Sequence, residues 1–175
     1  ISDFIYSAIA EETGLLGTLG LLALIWLILA RGLIASLRAP DRFRRYLGAG
    51  VVTYLGIQSL LIIGGNLRLL PLTGVTLPFV SYGGSSLLTS YVALFILLVI
   101  SNVEDSEPAP LENPKPYSFL AGMLAFGLFA CALTTAWWAF IRAPDLLNRT
   151  DNRRRAISDR YVPRGELLDS DNQPI

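Results

Sequence analysis

The stretch TGLLGTLGLLALIWLILA, Thr13–Ala30, runs for 18 residues without a charge. A helix that crosses the hydrocarbon of a bilayer needs ~20 mostly apolar residues, and this run is close to that length. Uncharged stretches return at Tyr46–Leu67, Leu69–Val103 and Pro116–Ile141. A buried helix of a soluble protein explains one such run. Four of them in a chain of 175 residues leave too little polar surface to cover them. Composition agrees: 53% of residues are hydrophobic and 16% are charged, against about a quarter charged in soluble domains. The fold class expected is an all-α polytopic membrane protein. It has about four transmembrane helices, with the beginning of an extracytoplasmic domain at the C-terminus.

Several function classes drop out early. Formal charge is zero, so no bulk attraction to nucleic acid is implied. The chain has no His, which removes the commonest general base and metal ligand. Its single cysteine, Cys131, lies in an apolar run and cannot form an intramolecular disulfide. The chain begins at Ile1 without a signal-peptide pattern, and it reads as a fragment of something longer.

Working outward from Thr13, the first helix is expected from about Thr13, or as early as Phe4, to Leu37. Arg31, Arg38, Arg42, Arg44 and Arg45 crowd its end, with Pro40 as a breaker. A second helix is expected over 46–65 and a third over 83–101, the latter capped by Ser85 or Ser86. Between them Pro71, Gly74 and Pro78 forbid a straight helix. Apolar irregular backbone at membrane depth is tolerated where protein buries it or where it lines a cavity. Residues 104–116 are acidic and proline-rich and read as an extended linker. A fourth helix is expected over 117–141, with Trp137 and Trp138 as interfacial aromatics. Residues 142–175 are polar, carry seven Arg, and read as the start of a soluble domain.

The arginine band after the first helix belongs on the cytoplasmic side by the positive-inside rule. Ile1–Glu12 and the Pro/Gly stretch then lie outside, and the acidic linker inside. The tail after the fourth helix falls outside despite its arginines, because long domains translocate largely regardless of charge.

Few residues in these runs can carry chemistry. Asp3 precedes the first helix at the outer face, and a carboxylate near membrane depth is costly enough to be a functional candidate. A helix-capping Asp3 is the plainer alternative. Glu11 and Glu12 follow, but helical spacing places Glu12 opposite Asp3 and forms no obvious dyad. Gly83-Gly84-Ser85-Ser86 offers N–H groups at a helix start, where anions are attracted. It lacks the spacing and Lys of a P-loop, and close packing through small residues is the alternative. Arg68 stands alone among apolar neighbours, available to a lipid phosphate or snorkelling to the interface.

Two motifs carry a resemblance. Ser2-Asp3-Phe4-Ile5-Tyr6-Ser7-Ala8-Ile9-Ala10-Glu11-Glu12-Thr13-Gly14-Leu15-Leu16-Gly17 resembles the SEDS (shape, elongation, division and sporulation) segment His-Thr-Asp-Phe-Ile-Phe-Ala-Val-Ile-Ala-Glu-Glu-x-Gly-Leu-x-Gly. Asn66 followed by Leu70-Pro71-Leu72-Thr73-Gly74-Val75-Thr76-Leu77-Pro78-Phe79-Val80-Ser81-Tyr82-Gly83-Gly84-Ser85-Ser86 resembles that family's second signature, long and ungapped. The likeness covers about Ser2 to Ser101.

The resemblance implies the C-terminal part, 1–103, of a RodA/FtsW-type peptidoglycan glycosyltransferase. Such enzymes polymerise lipid II at the outer face of the bacterial plasma (inner) membrane, in cell shape or cell division. Asp3 matches the family's extracellular catalytic Asp, and the Pro/Gly stretch with Ser81, Tyr82, Gly83, Gly84 and Ser85 resembles the element lining the family's cavity; Asn66 and Arg68, which lead into it, are expected to bind substrate with them. A carboxylate base suits removal of the acceptor hydroxyl's proton, and cations suit a departing lipid diphosphate. No cofactor is expected beyond a possible divalent cation, whose ligands the resemblance leaves unknown. Two positions depart from the pattern. Ile1 stands where the family often has His, and Arg68 interrupts a usually small or apolar stretch.

The tail carries a second resemblance. Asn148-Arg149-Thr150-Asp151-Asn152, Arg153-Arg154-Arg155 and Pro163-Arg164-Gly165-Glu166-Leu167-Leu168-Asp169-Ser170-Asp171-Asn172-Gln173-Pro174-Ile175 look like the beginning of a class B penicillin-binding protein, where Asn172-Gln173 replaces the usual Asn-Gly. The fourth helix would then be that protein's membrane anchor, fused in cis. The partners implied are lipid II, membrane lipids and the transpeptidase. Rival readings are a lipid II flippase or transporter, with Asp3 and Arg68 on its path, and a non-enzymatic scaffold for a transpeptidase.

Overall fold

The structure is a computed structural model, and it describes residues 2–102, 110 and 113–142. Among the described residues four helices are long and apolar enough to cross a membrane. They are α1 (Ile5–Leu37), α2 (Arg42–Asn66), α3 (Gly84–Ser101) and α4 (Lys115–Trp137). No strand occurs among the described residues. The polytopic all-α expectation is borne out.

α1 begins eight residues before Thr13, and a short 3-10 turn, Ser2–Phe4, leads into it. It is not one rod. Gly14 has φ 66 and ψ −159, a region that only glycine occupies readily. Local bonds support the break: Thr13 Oγ1 donates to the Ile9 carbonyl at 2.7 Å, and Thr18 Oγ1 donates to the Leu15 carbonyl at 2.9 Å. The segment Ile5–Thr13 is therefore set at its own angle to the membrane body of α1.

α2 also starts earlier than the uncharged run suggests. Asp41 caps it, its Oδ1 accepting from the Arg44 amide at 2.8 Å, and this satisfies an otherwise orphaned N–H of the first turn. Arg42, Arg44 and Arg45 are thus helical rather than loop. Arg45 is buried, and its Nη1 donates to the Pro110 carbonyl at 3.2 Å. That bond places Pro110 beside the arginine end of the bundle.

At α3 the expected serine cap does not form. Gly83 is the N-cap and no side chain bonds the first turn. Ser86 Oγ instead donates to the Gly83 carbonyl at 3.1 Å, and Ser90 Oγ to the Ser86 carbonyl at 2.8 Å. Once a serine lies inside the helix, its hydroxyl finds the carbonyl of a preceding turn more easily than the amides of the first.

The core is a shared apolar seam. Leu22, Ile25, Leu29 and Leu33 of α1 meet Val52, Leu55, Ile62 and Ile63 of α2, with Ala93 and Leu97 of α3 and Leu124, Leu128 and Cys131 of α4. Small residues let the backbones approach, which is how membrane helices gain van der Waals contact. A Cβ on Gly32 would meet Val52 at 2.8 Å, and one on Gly56 would meet Leu124 at 2.6 Å. Gly127 packs against Leu60 in the same way.

A second compact unit begins at Trp137. It is described only to Arg142, and its described residues are Trp137, the last of α4, and a π-helical stretch, Trp138–Arg142. The penicillin-binding-protein resemblance at residues 148–175 and most of the linker expected at 104–116 lie outside the described residues.

Candidate active site

Asp3 lies in the 3-10 turn ahead of α1 and is half-buried. The N-cap position of α1 is Phe4, one residue further on, and its side chain makes no capping bond. Asn66, the last residue of α2, meets Asp3 directly. Its Nδ2 donates to the Asp3 carbonyl at 2.7 Å and to the Ile62 carbonyl at 2.8 Å. Its Oδ1 accepts from Ser7 Oγ at 2.9 Å. One amide therefore ties the end of α2 both to the Asp3 turn and to the start of α1. Here an asparagine read as substrate-binding acts by holding the backbone of the candidate base.

A second tie comes from α4. The buried Tyr6 hydroxyl lies 2.7 Å from Thr135 Oγ1. Thr135 Oγ1 also bonds the Cys131 carbonyl at 2.8 Å. Its one hydrogen is used there, so the phenol donates to it.

Arg68 follows two residues after Asn66, with φ 59. Its amide bonds the Gly65 carbonyl at 3.1 Å, and the Leu69 amide bonds the Gly64 carbonyl at 2.8 Å. This pair of bonds is a Schellman motif that closes α2, with Arg68 where glycine is usual. Its side chain is exposed on the Asn66 end of the bundle.

The Pro/Gly stretch then runs from Leu69 to Gly83 without regular structure. It is organised by side chains at depth. Gln58, buried in the middle of α2, donates from Nε2 to the Thr76 carbonyl at 2.8 Å. Ser81 Oγ accepts from the Leu77 amide at 2.8 Å, and the Ser81 amide returns to the Leu77 carbonyl at 3.0 Å. This turn carries Phe79 at φ 64, with its ring edge-on to Tyr91 at 5.8 Å. Ser81 is buried and serves the turn, whereas Tyr82, Gly84 and Ser85 are exposed around the start of α3 and Gly83 is half-buried. Of the residues singled out by sequence, Asn66 is thus brought onto Asp3, Arg68 closes the same helix end, and the Ser81–Ser85 group forms the mouth of α3.

Four contributors were not legible as site residues: Ser7, Tyr6, Thr135 and Gln58. Only Gln58 leaves a signal, a lone amide inside an apolar span. Cavities of about 600 and 380 Å³ lie between α1 and α4 among apolar side chains, and neither is lined by Asp3. Among the described residues no group of three or more His, Cys, Asp or Glu side chains is placed to hold a metal ion. Asp3 offers one carboxylate only.

The fold and this helix-end arrangement define a multi-pass helical membrane protein with a carboxylate turn fastened at one membrane face. Residues 1–106 match the FtsW/RodA/SpoVE family of cell cycle proteins, and the chain belongs to that family. It is 46% identical over 101 residues to the peptidoglycan glycosyltransferase RodA of Mycobacterium tuberculosis strain H37Rv, covering 58% of this chain and 22% of that protein. It is 45% identical over 118 residues to a probable peptidoglycan glycosyltransferase FtsW of Hahella chejuensis, covering 65% of this chain and 30% of that protein. To stage V sporulation protein E of Bacillus subtilis strain 168 it is 40% identical over 100 residues, covering 57% of this chain and 27% of that protein. The matched part thus spans between a fifth and a third of these curated relatives. No solved structure matches the chain.

Proposed function

We propose that the chain is the C-terminal part of a peptidoglycan glycosyltransferase that polymerises lipid II at the outer face of the bacterial plasma membrane. The observation that carries this reading is the fastening of Asp3. Asn66 holds its carbonyl at 2.7 Å, at the bundle end opposite the arginine band of residues 38–45, in a chain of the FtsW/RodA/SpoVE family.

In the proposed reaction the Asp3 carboxylate removes the proton from an acceptor sugar hydroxyl. The hydroxyl oxygen attacks the anomeric carbon of the donor, and the glycosidic bond forms as the bond to the lipid diphosphate breaks. The diphosphate leaves with the electron pair. Arg68, exposed at the same end, is the described cation suited to offset its charge. Asn66 and Ser7 orient the turn, and exposed N–H groups at Gly84 and Ser85 offer an anion contact at the start of α3. A divalent cation would act on the diphosphate, but the described donors do not build a site for one.

We further propose that α4 is the anchor of a class B penicillin-binding transpeptidase fused in cis, with lipid II and membrane lipids as the other partners. The polar, arginine-rich sequence that follows α4, with its likeness to the start of such a protein, supports this reading.

The test is lipid II polymerisation by the full-length protein, read as glycan chain length on gels. Asp3→Asn is expected to abolish product while membrane insertion is retained. Wild-type chain lengths from the Asp3→Asn protein overturn the catalytic assignment. Transport of labelled lipid II across vesicles without glycan would favour a flippase, and neither activity would favour a scaffold.

A further inference from the structure

The break at Gly14 raises a question of support. Because Gly14 sits at φ 66, ψ −159, the segment Ile5–Thr13 does not inherit its direction from the membrane body of α1. An Asp3 turn carried at the free end of such a segment is held only as well as its tertiary ties hold it. Two sets of ties are described. Asn66 of α2 bonds the Asp3 carbonyl and Ser7. On Tyr6, between those two residues, the tie is to α4: its hydroxyl donates to Thr135 Oγ1 at 2.7 Å, across 129 residues of sequence.

That bond joins two buried side chains. Tyr6 is 1% exposed and Thr135 7%, so a phenol left unpaired there would bear its full desolvation cost. Tyr, unlike Phe, also needs a partner at one defined point. Thr135 is itself fixed, because its hydroxyl is spent on the Cys131 carbonyl at 2.8 Å. The chain of bonds therefore runs from the α4 backbone through Thr135 and Tyr6 to the turn that bears Asp3.

We propose that α4 is part of the polymerase site, with Thr135 and Tyr6 as positioning residues that hold the Asp3 turn in its reactive place. This rests on Asp3 acting as the general base. α4 is then more than a tether: shifting it along its axis moves the phenol's acceptor, and with it the carboxylate. Displacements of about 1 Å at a reacting group can cost on the order of 100-fold in rate.

The experiment is steady-state lipid II polymerisation by the full-length protein carrying Thr135→Val, Thr135→Ser, Tyr6→Phe, or Thr135→Val with Tyr6→Phe. Valine matches threonine in shape and lacks the acceptor oxygen, whereas serine keeps it. Thr135→Val and Tyr6→Phe are each expected to lower kcat roughly tenfold or more with KM little changed. Thr135→Ser restores the wild-type rate, and the double variant is no worse than either single one. A wild-type kcat in Thr135→Val and Tyr6→Phe, or an equal loss in Thr135→Ser, overturns the positioning role. If Thr135→Val fails to insert, Tyr6→Phe alone decides, through its kcat and KM.

Asp3→Asn in parallel separates the two claims. An inactive Asp3→Asn with an unaffected Thr135→Val overturns only the positioning role. An active Asp3→Asn overturns the base assignment and the inference that rests on it.

Discussion

Arg68 stands in a left-handed conformation at the end of α2, a position that costs a side-chain-bearing residue about 1 kcal/mol relative to glycine. Arg68→Gly should therefore raise stability by about 1 kcal/mol, read as a higher unfolding temperature in detergent. If the guanidinium assists the departing diphosphate, the same variant loses polymerisation rate. A gain in stability with full activity would leave Arg68 a helix-end residue only. Gly14 poses the opposite case. Its backbone lies where other residues rarely go, so Gly14→Ala should cost about 1–3 kcal/mol or straighten α1 and swing the Asp3 turn away from Asn66. Polymerisation falls in either event, and unchanged stability together with unchanged rate would count against the break. Asn66→Asp is a third probe. It keeps the acceptor for Ser7 but loses the donor to the Asp3 carbonyl, and a lower kcat is expected.

Among the elements, α4 depends on glycine. Gly56 of α2 gives Leu124 its place, since a Cβ there would sit 2.6 Å from Leu124 Cδ2. Gly56→Leu should destabilise the bundle by about 1–3 kcal/mol through overpacking. Adding Leu124→Ala should recover part of that loss, measured by thermal unfolding of the single and double variants. Failure of Leu124→Ala to compensate would mean that α4 does not seat on this face of α2. The irregular stretch between α2 and α3 has a similar dependence on one side chain. The buried amide of Gln58 reaches the Thr76 carbonyl from inside α2, which gives its N–H group a partner at depth.

At the scale of the molecule, bonds at both ends agree on an alternating path. Asn66 joins Asp3 at one end, and Arg45 joins Pro110 at the other. The arginine end is assigned to the cytoplasm by charge. Cysteine labelling checks it in a Cys131→Ala background, Cys131 being the single cysteine of the chain. Tyr82→Cys should react from outside intact cells, and Arg38→Cys only after permeabilisation. The reverse pattern would invert the topology and place Asp3 on the wrong side for an outer-face polymerase.

By itself the sequence determined the class. Four long uncharged apolar runs need lipid, or a core too large for this chain, to cover them, so four helices and their order follow from charge placement. It also marked Asp3 and the Pro/Gly stretch, because a carboxylate and helix breakers are conspicuous in apolar surroundings, whereas Asn66 came from the family resemblance alone. Periodicity could not find the start of α2, where an Asp41 cap turns a charged stretch into helix, nor the loss of the serine cap at α3. Nor could it show that Asn66 grips backbone, or that Tyr6 and Thr135 belong together. Those facts depend on contacts between residues 63 and 129 positions apart, and such contacts exist only once the helices have packed. Only the tertiary structure decided what holds Asp3. The Gly14 break removes the support a continuous helix would have supplied, and the neighbours that replace it are chosen by packing.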